Sequence, residues 1–113
     1  MNLLSRSEEI ILLSIWRLQK DAYGLAIREE VSNVTGKEWT VGSLYAPLHR
    51  LEKKGFILSV EGEPEARRGG RRKVFYSLTK TGKQALIAVK QVHDSQWIGI
   101  TPLLPKRLES GDA

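Results

Sequence analysis

The sequence predicts an α+β fold that is mainly helical, and three features between Thr40 and Leu78 carry that prediction. A polar helix start, Thr40-Val41-Gly42-Ser43-Leu44-Tyr45, runs on through Leu48 and Leu51 to a stop at Lys53-Lys54-Gly55. Two strand-like runs follow, Ile57 to Glu61 and Val74 to Leu78. The loop between them holds Arg67, Arg68, Arg71, Arg72 and Lys73. Helix, hairpin and basic tip in that order are the layout of a winged helix-turn-helix, in which the helix enters a DNA groove and the hairpin touches the backbone beside it. A further C-terminal helix, expected to serve dimerisation, completes the class. The expected division is a DNA-binding domain over 1–78, then a dimerisation helix and disordered tail over 79–113.

Each element has a local cause. Ser5-Arg6-Ser7-Glu8 has capping-box spacing, with Ser7 as a competing cap, and opens a helix to about Gln19. That helix carries Ile10, Ile11, Leu12, Leu13, Ile15, Trp16 and Leu18, more apolar surface than one stripe needs. Burial on two sides is therefore expected, and Ile11 and Ile15 are assigned to a subunit contact. Asp21 is the expected cap of a second helix through about Asn33, with Leu25, Ala26, Ile27 and Val31 inward. Gly36 marks a break, and Trp39 reads as a core plug.

In the recognition helix Thr40 caps the first turn, and Leu44, Leu48 and Leu51 share one face. Ser43, Ala46, Arg50 and Lys54 fall on other faces and are free to meet a partner. Gly42 either permits close backbone approach or is a packing choice. At the far end Gly55 supplies a left-handed residue, with Phe56 packing back on Leu51. Pro47 removes a backbone donor within the helix and is expected to bend it. In the hairpin Leu58 and Val60 alternate with Ser59 and Glu61, and Val74, Tyr76 and Leu78 alternate with Phe75 and Ser77. Thr79 or Thr81 caps a last helix to about Trp97, on which Leu86, Val89, His93 and Trp97 are assigned to the dimer interface.

Composition narrows the function classes. The chain has 113 residues, 41% hydrophobic and 27% charged, which fits one globular domain with a modest core. It has no cysteine and two histidines, His49 and His93, so thiolate chemistry is excluded and constellations for metal binding or nucleophilic catalysis are scarce. Thr35-Gly36-Lys37 lacks the long glycine loop of a phosphate-binding motif and reads as a turn. Neither an enzyme nor a cofactor is expected. With no apolar run of spanning length and no signal peptide in view, the expectation is a cytoplasmic protein without membrane contact. The formal net charge of +5 favours a polyanionic partner without proving one.

At Ala22-Tyr23-Gly24-Leu25-Ala26-Ile27, Gly42-Ser43-Leu44-Tyr45, Leu48-His49-Arg50-Leu51-Glu52-Lys53-Lys54-Gly55 and Gly70-Arg71-Arg72-Lys73 leading to Phe75-Tyr76-Ser77-Leu78-Thr79, the chain resembles the PadR family of bacterial transcriptional regulators. The resemblance covers roughly Ile10 to Leu86, and the short C-terminal part is similar to the compact subfamily with one terminal helix. Two departures stand out: Ala46 intervenes between Tyr45 and Pro47, and Phe75 stands where a tyrosine is usual. The resemblance implies a homodimer that binds a near-palindromic double-stranded operator and usually represses. It implies that Tyr23, Ser43 and Tyr45 contact the DNA backbone or groove edge, and that the wing cations touch phosphate or the minor groove. It also implies that the terminal helix packs against the partner's first helix, an interface at which some members accept aromatic small molecules. The competing reading is a winged-helix module that binds protein and not DNA. The arginines at the wing tip weigh against it.

Overall fold

The computed structural model describes residues 4–66 and 69–100. Within them the elements run α1 (Arg6–Leu18), a 3₁₀ turn (Gln19–Asp21), α2 (Gly24–Thr35), α3 (Val41–Lys53), β1 (Ile57–Pro64), β2 (Arg72–Leu78) and α4 (Lys80–Trp97). Three helices, a hairpin wing and a terminal helix make a winged helix-turn-helix of mainly helical α+β class.

Side-chain caps set most helix starts. Ser5 accepts from the Glu8 N–H while the Glu8 carboxylate accepts from the Ser5 N–H, so the capping box is complete and Ser7 is not needed. Thr40 and Thr79 cap α3 and α4 by accepting from Ser43 N–H and Gly82 N–H, each at 3.0 Å. The second helix differs from expectation. Asp21 lies in the 3₁₀ turn, and the residue in the cap position is Tyr23, whose side chain makes no capping bond. The reason is tertiary: the Tyr76 N–H donates to the Ala22 carbonyl at 2.8 Å, and Tyr23 bridges Phe75, so this segment is held extended against β2. The helix can begin only after that pairing ends.

Ile11, Leu12, Ile15, Ala22, Ile27, Val31, Leu44, Leu48, Leu51 and Ile57 form the core. Pro47 is buried beside them within a helix that continues through it. Trp39 packs against this core partly buried, and its indole N–H donates to Thr35 Oγ1 at 3.1 Å. The third helix ends in a Schellman motif: Phe56 N–H reaches the Leu51 carbonyl, Gly55 N–H reaches Glu52, and Gly55 sits at φ +78°.

The hairpin is longer than its apolar alternation suggests, because Gly62, Glu63, Pro64, Arg72 and Lys73 also pair or extend, with an irregularity between Glu61 and Pro64. Nor does alternation place Leu58 and Val60 inward. They are 58% and 65% exposed, while Ile57 is the buried residue of β1. Ile57 pairs with Leu78, and Leu58 and Val60 pair with Ser77 and Phe75 on the outer face. The terminal helix then docks on the turn after α3: Thr79 Oγ1 donates to the Gly55 carbonyl at 2.6 Å, and a Cβ at Gly82 would overlap the Phe56 carbonyl.

Candidate nucleic-acid interface

Hydroxyls and cations gather along one edge made by α2, α3 and β2. Thr40 and Ser43 share a 2.8 Å hydroxyl–hydroxyl bond at the exposed start of α3. Gly42 is exposed, and a Cβ added there would meet nothing within 4 Å, so packing does not require glycine at this position. Arg50 and His49 are exposed farther along the helix, opposite the buried Leu44–Leu48–Leu51 face.

Tyr45 leans across to α2. A Cβ at Gly24 would overlap the Tyr45 hydroxyl, so glycine at the first position of α2 is what lets that ring sit there. This packing role of Gly24 is not readable from periodicity, because it depends on a residue 21 positions away in another helix. Next to it, Tyr23 meets Phe75 edge-on at a centroid distance of 5.7 Å, and the Lys73 ammonium lies 4.2 Å from the Tyr23 centroid. Lys73 also reaches Glu65 at 3.4 Å, so this cation braces the wing against α2. Phe75 fills its place by ring packing, which accounts for a residue with no hydroxyl there.

Arg72 donates to the Gly62 carbonyl at 3.2 Å and lies 3.9 Å from Glu61. Arg71 is exposed near the wing tip, whereas Arg67 and Arg68 lie outside the described residues. Tyr23, Tyr45, Arg72 and Lys73 thus line one cleft with Val41, while Thr40 and Ser43 pair at the same helix start and Ser43 borders a second surface with Trp39 and Arg50.

The opposite side is apolar. Ile11 and Ile15, 0% and 1% exposed, are spent on this subunit's own core, while Trp16 on the same helix is 48% exposed. With Leu13, Leu78, Leu86 and Ile87 it lines a groove of about 530 Å³ between α1 and α4, rimmed by Lys83, Lys90 and His93. Val89 is buried within the subunit, and Trp97 is half exposed beyond the groove. Two adjacent carboxylates tie this side to the rest. Glu8, 4% exposed, accepts from Lys54 Nζ at 2.7 Å, and Glu9, 7% exposed, accepts from Arg6 at 2.8 Å and faces His93 Nε2 at 3.1 Å. Burial pushes both carboxyls up, but the bonds from Lys54 and Ser5 to Glu8, and from Arg6 and His93 to Glu9, outweigh it and hold both below the usual carboxylate range.

Residues 11–88 match the model of the PadR-like family of transcriptional regulators. The chain belongs to this family. Membership places it among DNA-binding regulators of transcription and not among enzymes. It is 41% identical over 81 residues to an uncharacterised protein of Lysinibacillus sphaericus, spanning 70% of each chain. Among solved structures it resembles RosR of H. salinarum, with 27% identity, a TM-score of 0.66, and 85% of this chain and 79% of that one covered. TA0346 from Thermoplasma acidophilum shares the fold at 24% identity and a TM-score of 0.66, with 86% and 91% covered. No helix among the described residues is long and apolar enough to cross a membrane.

Proposed function

We propose that this PadR-like regulator binds a near-palindromic DNA operator as a homodimer and represses transcription from it. The observation that carries the reading is the exposed start of α3, where Thr40, Gly42 and Ser43 stand clear of the core beside a cationic wing. In this reading Ser43 and Arg50 face the major groove, while Tyr23, Tyr45, Arg71, Arg72 and the neighbouring Arg67 and Arg68 of the sequence meet the backbone. Replacing Ser43 with tryptophan should abolish protection of the upstream region in a footprint while the circular dichroism spectrum stays native. Undiminished protection by Ser43→Trp would mean that the groove is read elsewhere.

The groove between α1 and α4 supports the dimer. Leu13, Trp16 and Ile87 are exposed there, and a two-fold axis would present each of them twice. The same apolar groove supports a planar aromatic effector held against Trp16, with Trp97 of each subunit near the axis. Saturable quenching of tryptophan emission by planar cationic dyes tests the effector separately from the dimer.

A protein-binding wing is the second reading, and the exposed Leu58 and Val60 favour it. They sit at the base of the hairpin, however, while its far end carries Arg71 and Arg72. Weaker duplex binding with a shallower salt slope in Arg71→Ala/Arg72→Ala, with Leu58→Ser unaffected, separates the two.

A further inference from the structure

A cleft of about 230 Å³ opens between the start of α2, the start of α3 and β2. Its polar lining is of one kind: Arg28, Arg72 and Lys73 contribute cations, and Tyr23, Tyr45 and Tyr76 contribute phenols. No Asp or Glu among the described residues lines it. The cations differ in how far their charge is already engaged. Lys73 pairs with Glu65 and stacks on Tyr23, and Arg72 holds the Gly62 carbonyl near Glu61. Arg28 is half-buried and, among the described residues, has neither an ion-pair nor a hydrogen-bond partner. Its guanidinium shares the cleft with Leu25, Val41 and Val74, and its charge is free to meet an incoming anion.

Two further observations fit an anion. The second helix has no side-chain cap, so its first-turn N–H groups are left unsatisfied at the same end of the cleft, whereas α1, α3 and α4 are each capped by Ser or Thr. Burial, together with nearby Tyr45 and Glu52, raises the Tyr76 hydroxyl above its ordinary pKa, which keeps it protonated and able to donate. The volume is below the roughly 300–1,000 Å³ of a small-molecule site, so a single compact group suits it better than a whole ligand.

We propose that this cleft takes one phosphodiester group of the DNA backbone from each half-site, with Arg28 as its principal ligand and the Tyr45 and Tyr23 hydroxyls as supporting donors. The inference rests on the DNA-binding reading above and adds Arg28 and an open cleft to it. An arginine fork can span both non-bridging oxygens of a diester, which a lysine cannot. Gly24 acquires a second consequence: by making room for the Tyr45 ring it keeps that hydroxyl at the mouth of the cleft.

The test is the salt dependence of binding to a 30-base-pair duplex containing the footprinted upstream sequence, by fluorescence anisotropy, for the parent protein, Arg28→Ala, Arg28→Gln and Arg28→Lys. Each phosphate no longer neutralised should make the slope of log affinity against log salt shallower by about 0.9 per subunit, or roughly a threefold smaller drop in affinity per subunit between 50 and 200 mM. Arg28→Ala and Arg28→Gln should both show it, so one uncooperative variant does not decide the matter. Arg28→Lys should keep the parent slope at lower affinity. A folded Arg28→Ala or Arg28→Gln protein with the parent slope overturns the pocket while leaving DNA binding intact. Failure of the parent to bind duplex at all overturns both.

Discussion

The two sides of this molecule are finished to different degrees. Along the edge of α2, α3 and β2, side chains are held by one another: Thr40 by Ser43, Tyr45 against Gly24, Tyr23 between Phe75 and Lys73. Along α1 and α4, Leu13, Trp16 and Ile87 stay exposed around a mainly apolar groove that Glu9, Lys83, Lys90 and His93 also line. A pre-arranged polar edge suits a rigid polyanion, because ordering costs are met at folding and not at binding. An apolar face left open suits a protein partner, since water is its only other neighbour. Between them, Glu8 and Glu9 join the end of α3 through Lys54 and α4 through His93.

The largest effect should come from the apolar side. Trp16→Glu places a charge where a dimer would bury it twice, and the dimer dissociation constant should rise by more than about 10²-fold in sedimentation equilibrium. Deleting α4 is a poorer probe, because Val89 belongs to the subunit's own packed interior. If Trp16→Glu leaves the association state unchanged, the partner face lies elsewhere.

Next come two glycines that separate stability from binding. In Gly82→Ala the new methyl meets the backbone carbonyl of Phe56, which cannot step aside, and stability should fall by about 2–3 kcal/mol in urea unfolding. In Gly24→Ala the obstacle is the far end of a flexible Tyr45 side chain. Stability should fall by less than about 1 kcal/mol, with duplex affinity falling severalfold as Tyr45 is displaced. Equal destabilisation would mean that the two glycines play the same role.

Glu8→Gln sharpens the link between the sides. It removes the charge-assisted bond to Lys54, and half-exposure of that lysine limits the cost to about 1–2 kcal/mol at neutral pH. Both Glu8 and Glu9 are held below their ordinary values, so their stabilisation is present above the unfolded carboxyl pKa of about 4.3 and is lost as pH falls through the lowered folded values. Acid unfolding should therefore begin below about pH 4 and be shallower in Glu8→Gln. A variant with the parent's acid limb would place the titrating groups elsewhere.

Much of the polar edge was legible in the sequence because its causes are local. Thr40 capping α3, Gly55 ending it and the Leu44–Leu48–Leu51 face each depend on residues within one or two turns. What escaped was set by neighbours distant in sequence. Asp21 has the right side chain for a cap, but β2 pairs with Ala22 and Tyr23 and delays the helix. Ile11 and Ile15 are as apolar as Leu13 and Trp16, and periodicity alone does not say which stripe meets the subunit's own core. Leu58 and Val60 alternate as a buried face would, yet hairpin register turns Ile57 inward instead. Arg28 carried no motif, and only the cleft around it singles it out.

A charge-specific effect concerns the wing. Arg71→Ala/Arg72→Ala should leave folding unchanged and reduce the salt slope by about 0.9 for each phosphate left without its cation, equally on all sequences. An unaltered slope would leave the wing arginines as solvated side chains.

The division into a DNA-facing edge and a partner-facing side is tested most directly by the parent protein's own salt dependence on duplex DNA. Anisotropy titrations between 50 and 200 mM salt should give a straight log–log line of steep negative slope, several phosphates deep, for a pair of subunits engaging α3, the wing and Arg28. A flat line, or no binding at the lowest salt, would contradict the assignment of that edge to DNA and leave its hydroxyls and cations without a polyanion to meet.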